Sequence, residues 1–258
     1  MTSANPVALV TGGVGGVGQA VGRRLRSQGY EVVLADLDSA AGPRIAESLG
    51  CSFLRLDVTD LEAYRVAIDT IERVHGRLDL VHLNAGITAG WGTASEVPMS
   101  KYHQVVDVNV HGVVYGVIAA APALARSGGG AVVVTASMAG LATSRDPYYA
   151  LAKAAVIGYV RSIAAQLAED NVTINAVCPS FVDTPLVAGE LRESGYPMLT
   201  ADDVASAVTS CVEAGNTGEA WLIQVGHEPQ PYKFRGVPGA RRTDGSVAQP
   251  KFRTAAQA

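Results

Sequence analysis

The sequence predicts an α/β fold: a single-domain, doubly wound parallel sheet of about seven strands with helices on both faces. Three observations point there. Short apolar runs alternate with longer helix-period segments along nearly the whole chain, the pattern of repeated βα units. The runs are apolar almost throughout rather than at every second position, as strands covered on both faces require. No linker, repeat or low-complexity tract interrupts residues 1–225, so these form one domain and residues 226–258 form an arm.

The first strand covers 7–10, and a glycine-rich turn leads from it into a helix over 16–28. A second strand over 31–35 runs out at Asp36, and Asp38 and Ser39 are placed to cap a helix over 39–49. Strand 52–56 with helix 60–75 makes the third unit, and strand 78–83 with a long helix over 100–126 makes the fourth. Gly128-Gly129-Gly130 turns that helix into a strand over 131–135. Helix 148–169, strand 173–177, helix 201–213 and strand 220–225 follow. Asp202-Asp203 supplies first-turn charge to the last of these helices. The arm carries Pro229, Pro231, Pro238 and Pro250 with little periodicity, so an extended or partly disordered segment is expected. Its aromatic Tyr232 and Phe234 point to packing of the first part.

Composition narrows the class. With 258 residues, 48% hydrophobic and 17% charged, the chain can bury roughly 70–75% of its unfolded surface without staples. Net charge is −4, and the arm holds six Lys/Arg against Glu228 and Asp244. The preceding 225 residues, with 14 basic and 22 acidic side chains, therefore carry −8, which excludes a nucleic-acid footprint on the body. No uninterrupted apolar run of about 20 residues is present for a membrane span. Met1 to Pro6 has neither the basic region nor the apolar region of a signal peptide. Cys51, Cys178 and Cys211 are far apart and lack C-x-x-C spacing, so reduced thiols and a cytoplasmic location are expected. His75, His82, His103, His111 and His227 show no metal-ligand spacing, and no metal is expected.

Two constellations carry chemistry. Thr11-Gly12-Gly13-Val14-Gly15-Gly16-Val17-Gly18 follows the first strand and opens the first helix. Glycines there let the backbone approach a pyrophosphate lying on the free N–H groups of a helix start. The run fits both G-x-G-x-x-G and T-G-x-x-x-G-x-G. Asp36, 18 residues past Gly18, can accept hydrogen bonds from the adenosine ribose hydroxyls and repels a 2′-phosphate. NAD is therefore expected over NADP. The second constellation is Tyr149 with Lys153, which a helix sets on one face, one turn apart. A phenol is a poor proton carrier at neutral pH, and a nearby ammonium is expected to lower its pKa, making a tuned acid/base. Tyr148 has no lysine four residues on.

With these residues assembled, the chain resembles the short-chain dehydrogenase/reductase family over residues 6 to about 226. Thr11 to Gly18 is similar to the family's cofactor turn on its Rossmann sheet. Leu56-Asp57-Val58, Asn84-Ala85-Gly86, Asn109-Val110-His111-Gly112, Ser137, Tyr149-x-x-x-Lys153 and Pro179-Ser180-Phe181-Val182-Asp183-Thr184-Pro185 match its further motifs. The resemblance implies a cofactor site built on Thr11, Gly12, Gly15, Gly16, Val17, Gly18, Asp36, Leu37, Asp57, Val58, Asn84, Ala85, Gly86, Tyr149, Lys153, Pro179, Val182 and Thr184. It implies that Asp57 binds the adenine amino group and that Val182 and Thr184 meet the nicotinamide carboxamide. It implies proton transfer by Tyr149, assisted by Lys153 and Ser137, with Asn109 holding a relay water. Two departures stand out: Ser180 replaces the usual glycine, and Ser137 to Tyr149 is one residue short.

Substrate-pocket candidates are Trp91, Ser137, Met138, Phe181 and Leu186, with Ile87, Leu141, Leu191 and Met198 around them and Arg145 and Arg192 near the rim. Their apolar character points to an uncharged, fairly hydrophobic secondary alcohol or ketone, a small-molecule partner with no role for nucleic acid or membrane. The segment between Pro185 and Ala201 leaves room for only a small lid. In helix 148–169, Ala155, Val156, Ile157, Val160, Ile163, Ala164 and Leu167 form a stripe wider than sheet packing needs, which with the resemblance implies a homotetramer or homodimer. Two alternatives remain at this point: an NADPH-dependent ketoreductase of acyl thioesters, and a catalytically silent NAD(H)-binding regulator.

Overall fold

The computed structural model describes residues 5–90, 97–187, 189–236 and 238–247. Strands β1 (Val7–Thr11), β2 (Glu31–Asp36), β3 (Ser52–Arg55), β4 (Leu80–Leu83), β5 (Gly130–Thr135), β6 (Val172–Pro179) and β7 (Ala220–Ile223) are all parallel. With β8 (Gln230–Pro231) they form, among the described residues, one eight-stranded sheet in the order β3-β2-β1-β4-β5-β6-β7-β8. Alternation across a strand divides the core in two. Val7 and Leu9 of β1 face one cluster, and Ala8 and Val10 face the other. Helices α3 (Leu61–His75), α5 (Gly112–Arg126) and α6 (Pro147–Ala168) cover the first face. Helices α1 (Gly16–Ser27), α2 (Gly42–Ser48) and α8 (Ala201–Glu213) cover the second, and a short α7 (Gly189–Glu193) precedes α8 in the chain.

The seven expected parallel strands are present, and β8 (Gln230–Pro231) in the arm adds an eighth, antiparallel to β7. Two expectations need correction. The helix expected over 39–49 is shorter, since the Asp38 carboxylate accepts from the amides of Ala40 and Ala41 and holds that stretch in a turn. The helix expected over 100–126 divides into α4 (Met99–Val106), a single π turn at Asp107–His111, and α5. That combined 28-residue segment is long and apolar enough, by length and composition, to cross a membrane. Its apolar residues Val113, Val117, Ala120, Ala123 and Leu124 are instead buried in the core of the first face.

The arm is tied to the body. The Tyr232 amide donates to the Ala220 carbonyl, Phe234 packs on the first-face cluster, and the Arg161 guanidinium of α6 lies 3.7 Å from the centre of the Phe234 ring. In α6, Val156, Ile157, Val160, Ala164 and Leu167 are buried within the chain itself. The wide apolar stripe is thus largely accounted for by the sheet. Ala155 is left exposed.

Candidate active site

In a doubly wound sheet, neighbouring strands whose connections run in opposite directions leave a crevice at their carboxyl ends. Here that point lies between β1 and β4, and a cleft of about 1320 Å³ opens over it. Gly12, Gly15, Gly16, Val17, Asp36, Leu37, Asp57, Val58, Asn84, Ala85 and Gly86 line one part of it. Ser137, Met138, Tyr149, Lys153, Pro179, Phe181, Val182, Thr184 and Leu186 line the rest. Of the residues the motifs single out, Thr11, Gly18 and Asn109 stand behind the surface, and Trp91 lies outside the described residues. Leu141 and Met198 are likewise not part of the wall, whereas Ile87, Leu191 and Arg145 are.

The glycine turn is shaped for an anion. Helix α1 starts with Gly15 as its cap, no side chain bonds its first amides, and its first turn holds no acid. Those amides and the helix dipole are free for a phosphate. Gly18 packs so tightly beneath the turn that a Cβ there would come within 2.3 Å of the Gly12 carbonyl oxygen. Asp36 braces the same turn, its Oδ2 accepting from the Val14 amide at 3.1 Å. Asp57 accepts from the amide and hydroxyl of Thr59 through Oδ1. The residues present therefore fit a dinucleotide, with amides at the pyrophosphate position and a carboxylate at the end of β2.

At the other end, Ser137 opens a short 3₁₀ turn over Met138–Gly140, its hydroxyl accepting from the Ala139 amide at 3.1 Å. The same hydroxyl hydrogen-bonds the Tyr149 phenol. The neighbouring Tyr148 turns its ring edge toward Tyr102, 5.2 Å between centroids. Lys153 is buried, with Nζ 5.4 Å from the centre of the Tyr149 ring and donating to the Thr135 carbonyl at 2.7 Å. Electrostatics here depart from the expectation. Burial pushes the Tyr149 phenol up to about 12, opposed by the Ser137 hydrogen bond and reinforced by the Asp146 charge. Burial also brings Lys153 down to about 8. Removing either group from water disfavours its charged form, and burial is the largest influence on both.

A buried polar chain holds these parts in register. His82 is fully buried, and burial brings it down to about 3, so the imidazole is neutral. Its Nε2 bonds Thr135 Oγ1 at 2.8 Å; that hydroxyl donates to Asn84 Oδ1 at 3.1 Å, and Asn84 Nδ2 donates to the Thr11 carbonyl at 3.1 Å. Because the Thr135 proton goes to Asn84, the Nε2 proton belongs to His82, which leaves Nδ1 unpaired. Thr135 thus joins Lys153 to the glycine turn. Asn109, in the π turn, receives the Ile87 amide on Oδ1 and returns Nδ2 to the Ile87 carbonyl, both at 2.8 Å. Its amide braces the loop after β4 and does not face the cleft. Thr135, Asp146 and Thr88 belong to the cleft wall although no motif marks them.

A family model described as short chain dehydrogenase matches residues 6–194. The chain belongs to that family. This short-chain dehydrogenase is an oxidoreductase, and it is 34% identical over 209 residues to the mitochondrial borneol dehydrogenase of Lavandula x intermedia, covering 78% of this chain and 81% of that one. It is 33% identical over 267 aligned positions to the (-)-trans-carveol dehydrogenase of Rhodococcus erythropolis, covering 90% and 95%. Among solved structures it is similar to a 3-ketoacyl-(acyl-carrier-protein) reductase from Brucella melitensis complexed with NADH, at a TM-score of 0.80, 26% identity, and 86% and 97% coverage.

Proposed function

We propose that this short-chain dehydrogenase uses NAD(H) to interconvert an uncharged, hydrophobic cyclic secondary alcohol and its ketone. One observation carries the reading: a single cleft joins an anion-ready glycine turn and Asp36 to Ser137, Tyr149 and Lys153 beside an apolar wall. Borneol and carveol, which name two relatives, are cyclic secondary alcohols. Phe181, Leu186 and Tyr196 keep 40%, 43% and 45% of their surface exposed, with the first and last rings packed edge to face. Apolar surface of this size left in a cleft is what an apolar substrate covers. Asp36 supports NAD, since neither the glycine turn nor Leu37 offers a positive charge to a 2′-phosphate.

The bound nicotinamide supplies hydride acceptance or donation at the substrate carbon. Tyr149 exchanges the proton with the substrate oxygen, and Ser137 hydrogen-bonds both. Lys153, at about 8, is mainly protonated at neutral pH and offsets charge on the phenolate as the proton leaves. The same reading includes a homotetramer, supported by the exposed Ile118 of α5 and Leu151 of α6, and a cytoplasmic location, supported by three free thiols.

A spectrophotometric screen of cyclic, aromatic and steroid alcohols, read at the nicotinamide absorbance band with NAD and with NADP, tests it. Turnover of cyclic secondary alcohols with NAD, and far slower turnover with NADP, is expected. Equal rates with both cofactors would remove the role given to Asp36. NADH binding without turnover of any alcohol or ketone would favour a silent NAD(H)-binding protein instead.

A further inference from the structure

Asp146 is only 3% exposed, and both of its carboxylate oxygens are engaged. Oδ1 accepts from the Tyr149 amide at 2.9 Å as the cap of α6. Oδ2 accepts from the Thr88 hydroxyl at 2.5 Å and from the Ala89 amide at 2.9 Å. A helix cap needs one acceptor, and Ser, Thr or Asn supplies it as well as Asp. The second oxygen is not spent on the cap, because it reaches a loop 57 and 58 residues away in sequence. Thr88 and Asp146 both line the cleft.

We propose that Asp146 is a positioning residue: its carboxylate locks the loop after β4 to the first turn of α6, and so sets the Tyr149 hydroxyl against the substrate wall at Thr88. This rests on the acid/base role proposed above for Tyr149. The carboxylate is held by three neutral donors at the positive end of a helix. Asparagine does not replace it. Its single acceptor oxygen serves one side of the clamp, and its NH₂ group then faces a backbone N–H of Ala89 or Tyr149. Asp146 also acts on the phenol through its charge. The other ionisable groups facing Tyr149 are Lys153 on its own helix and Cys178 on β6, and neither changes when Asp146 is replaced. Asp146 disfavours the phenolate, so its removal favours it.

The test compares Asp146→Asn and Thr88→Val with the wild type. Hydrogen exchange reads the clamp without reference to substrate: in D146N, amides of the 84–90 and 146–153 segments are expected to lose protection together. In T88V the 84–90 segment loosens. In steady-state kinetics each variant is expected to lose about tenfold or more in kcat, the scale of a slight misplacement of a reacting group. Affinity for NADH, read by nucleotide fluorescence, is expected to stay within about twofold. The pH at which alcohol oxidation switches on moves down in D146N and stays in place in T88V, a pattern that general loosening does not produce. Unchanged exchange in the 84–90 segment overturns the clamp, as does a D146N enzyme with wild-type kcat and an unmoved pH limb. Should D146N fail to fold, T88V with wild-type exchange and kcat overturns it. A wild type that turns over no alcohol counts against the proposed activity, while exchange still decides the clamp.

Discussion

Tyr149 and Lys153 lie four residues apart on α6, and that spacing is written in the sequence. The sign of their pKa shifts is not. Spacing shows that two groups are close, whereas burial decides what each proton costs to move, and burial comes from β5, β6 and the loop after β5. The same holds for Thr135. Its hydroxyl and carbonyl connect His82, Asn84 and Lys153, yet in the sequence it is the last residue of an apolar strand. At this scale Tyr149→Phe is the direct test. The ring and its packing remain and only the hydroxyl is lost, so NADH affinity is expected to stay within about twofold. Turnover is expected to fall by about 10²–10⁴-fold, the range of a general acid/base contribution. Retention of a large part of wild-type kcat would remove Tyr149 from the reaction.

Among the elements, the glycine turn and α1 were legible because glycine is rare in a position that a side chain could fill. The structure supplies the distances: a Cβ at Gly18 would lie 2.3 Å from the Gly12 oxygen and 2.8 Å from the Gly13 Cα. Both neighbours are backbone, so relief requires the turn itself to move. Gly18→Val is expected to weaken NADH binding by tenfold or more, an overpacking cost on the order of 1–3 kcal/mol, with loss of stability measurable by thermal unfolding. Tight NADH binding by a stable G18V protein would contradict the packing described. The π turn at Asp107–His111 was not legible. Apolar periodicity continues through it from α4 to α5, and only the partner loop, with Ile87 offering both an amide and a carbonyl to Asn109, shows why one residue is looped out. The start of α2 is hidden in the sequence for a related reason, because a cap residue such as Asp38 also makes turns that never become helix.

For the whole molecule, the arm changes the account of how the sheet ends. β8 covers part of the open edge of β7, and Phe234 lies between Arg161 and the first-face core. Edge strands left open invite pairing with other chains. Truncation after Val225 is expected to lower the unfolding midpoint by several degrees, on the scale of about 1–2 kcal/mol for a domain this large, and to increase aggregation during heating. NADH affinity is expected to hold, since no described arm residue lines the cleft. An unchanged midpoint would show that the arm contributes nothing to the fold.

Strand and helix order, the glycine turn, Asp36 and the Tyr149–Lys153 spacing were determined by the sequence alone, because each depends on residues near one another along the chain or on a side chain that only one geometry tolerates. Tertiary structure decided the rest: the neutral His82 behind Thr135, the reciprocal pairing of Asn109 with Ile87, and the bridge from Asp146 to Thr88. Each depends on groups brought together from distant segments. Their protonation and hydrogen bonding follow from the exclusion of water between packed layers, which has no signature in any single stretch of sequence.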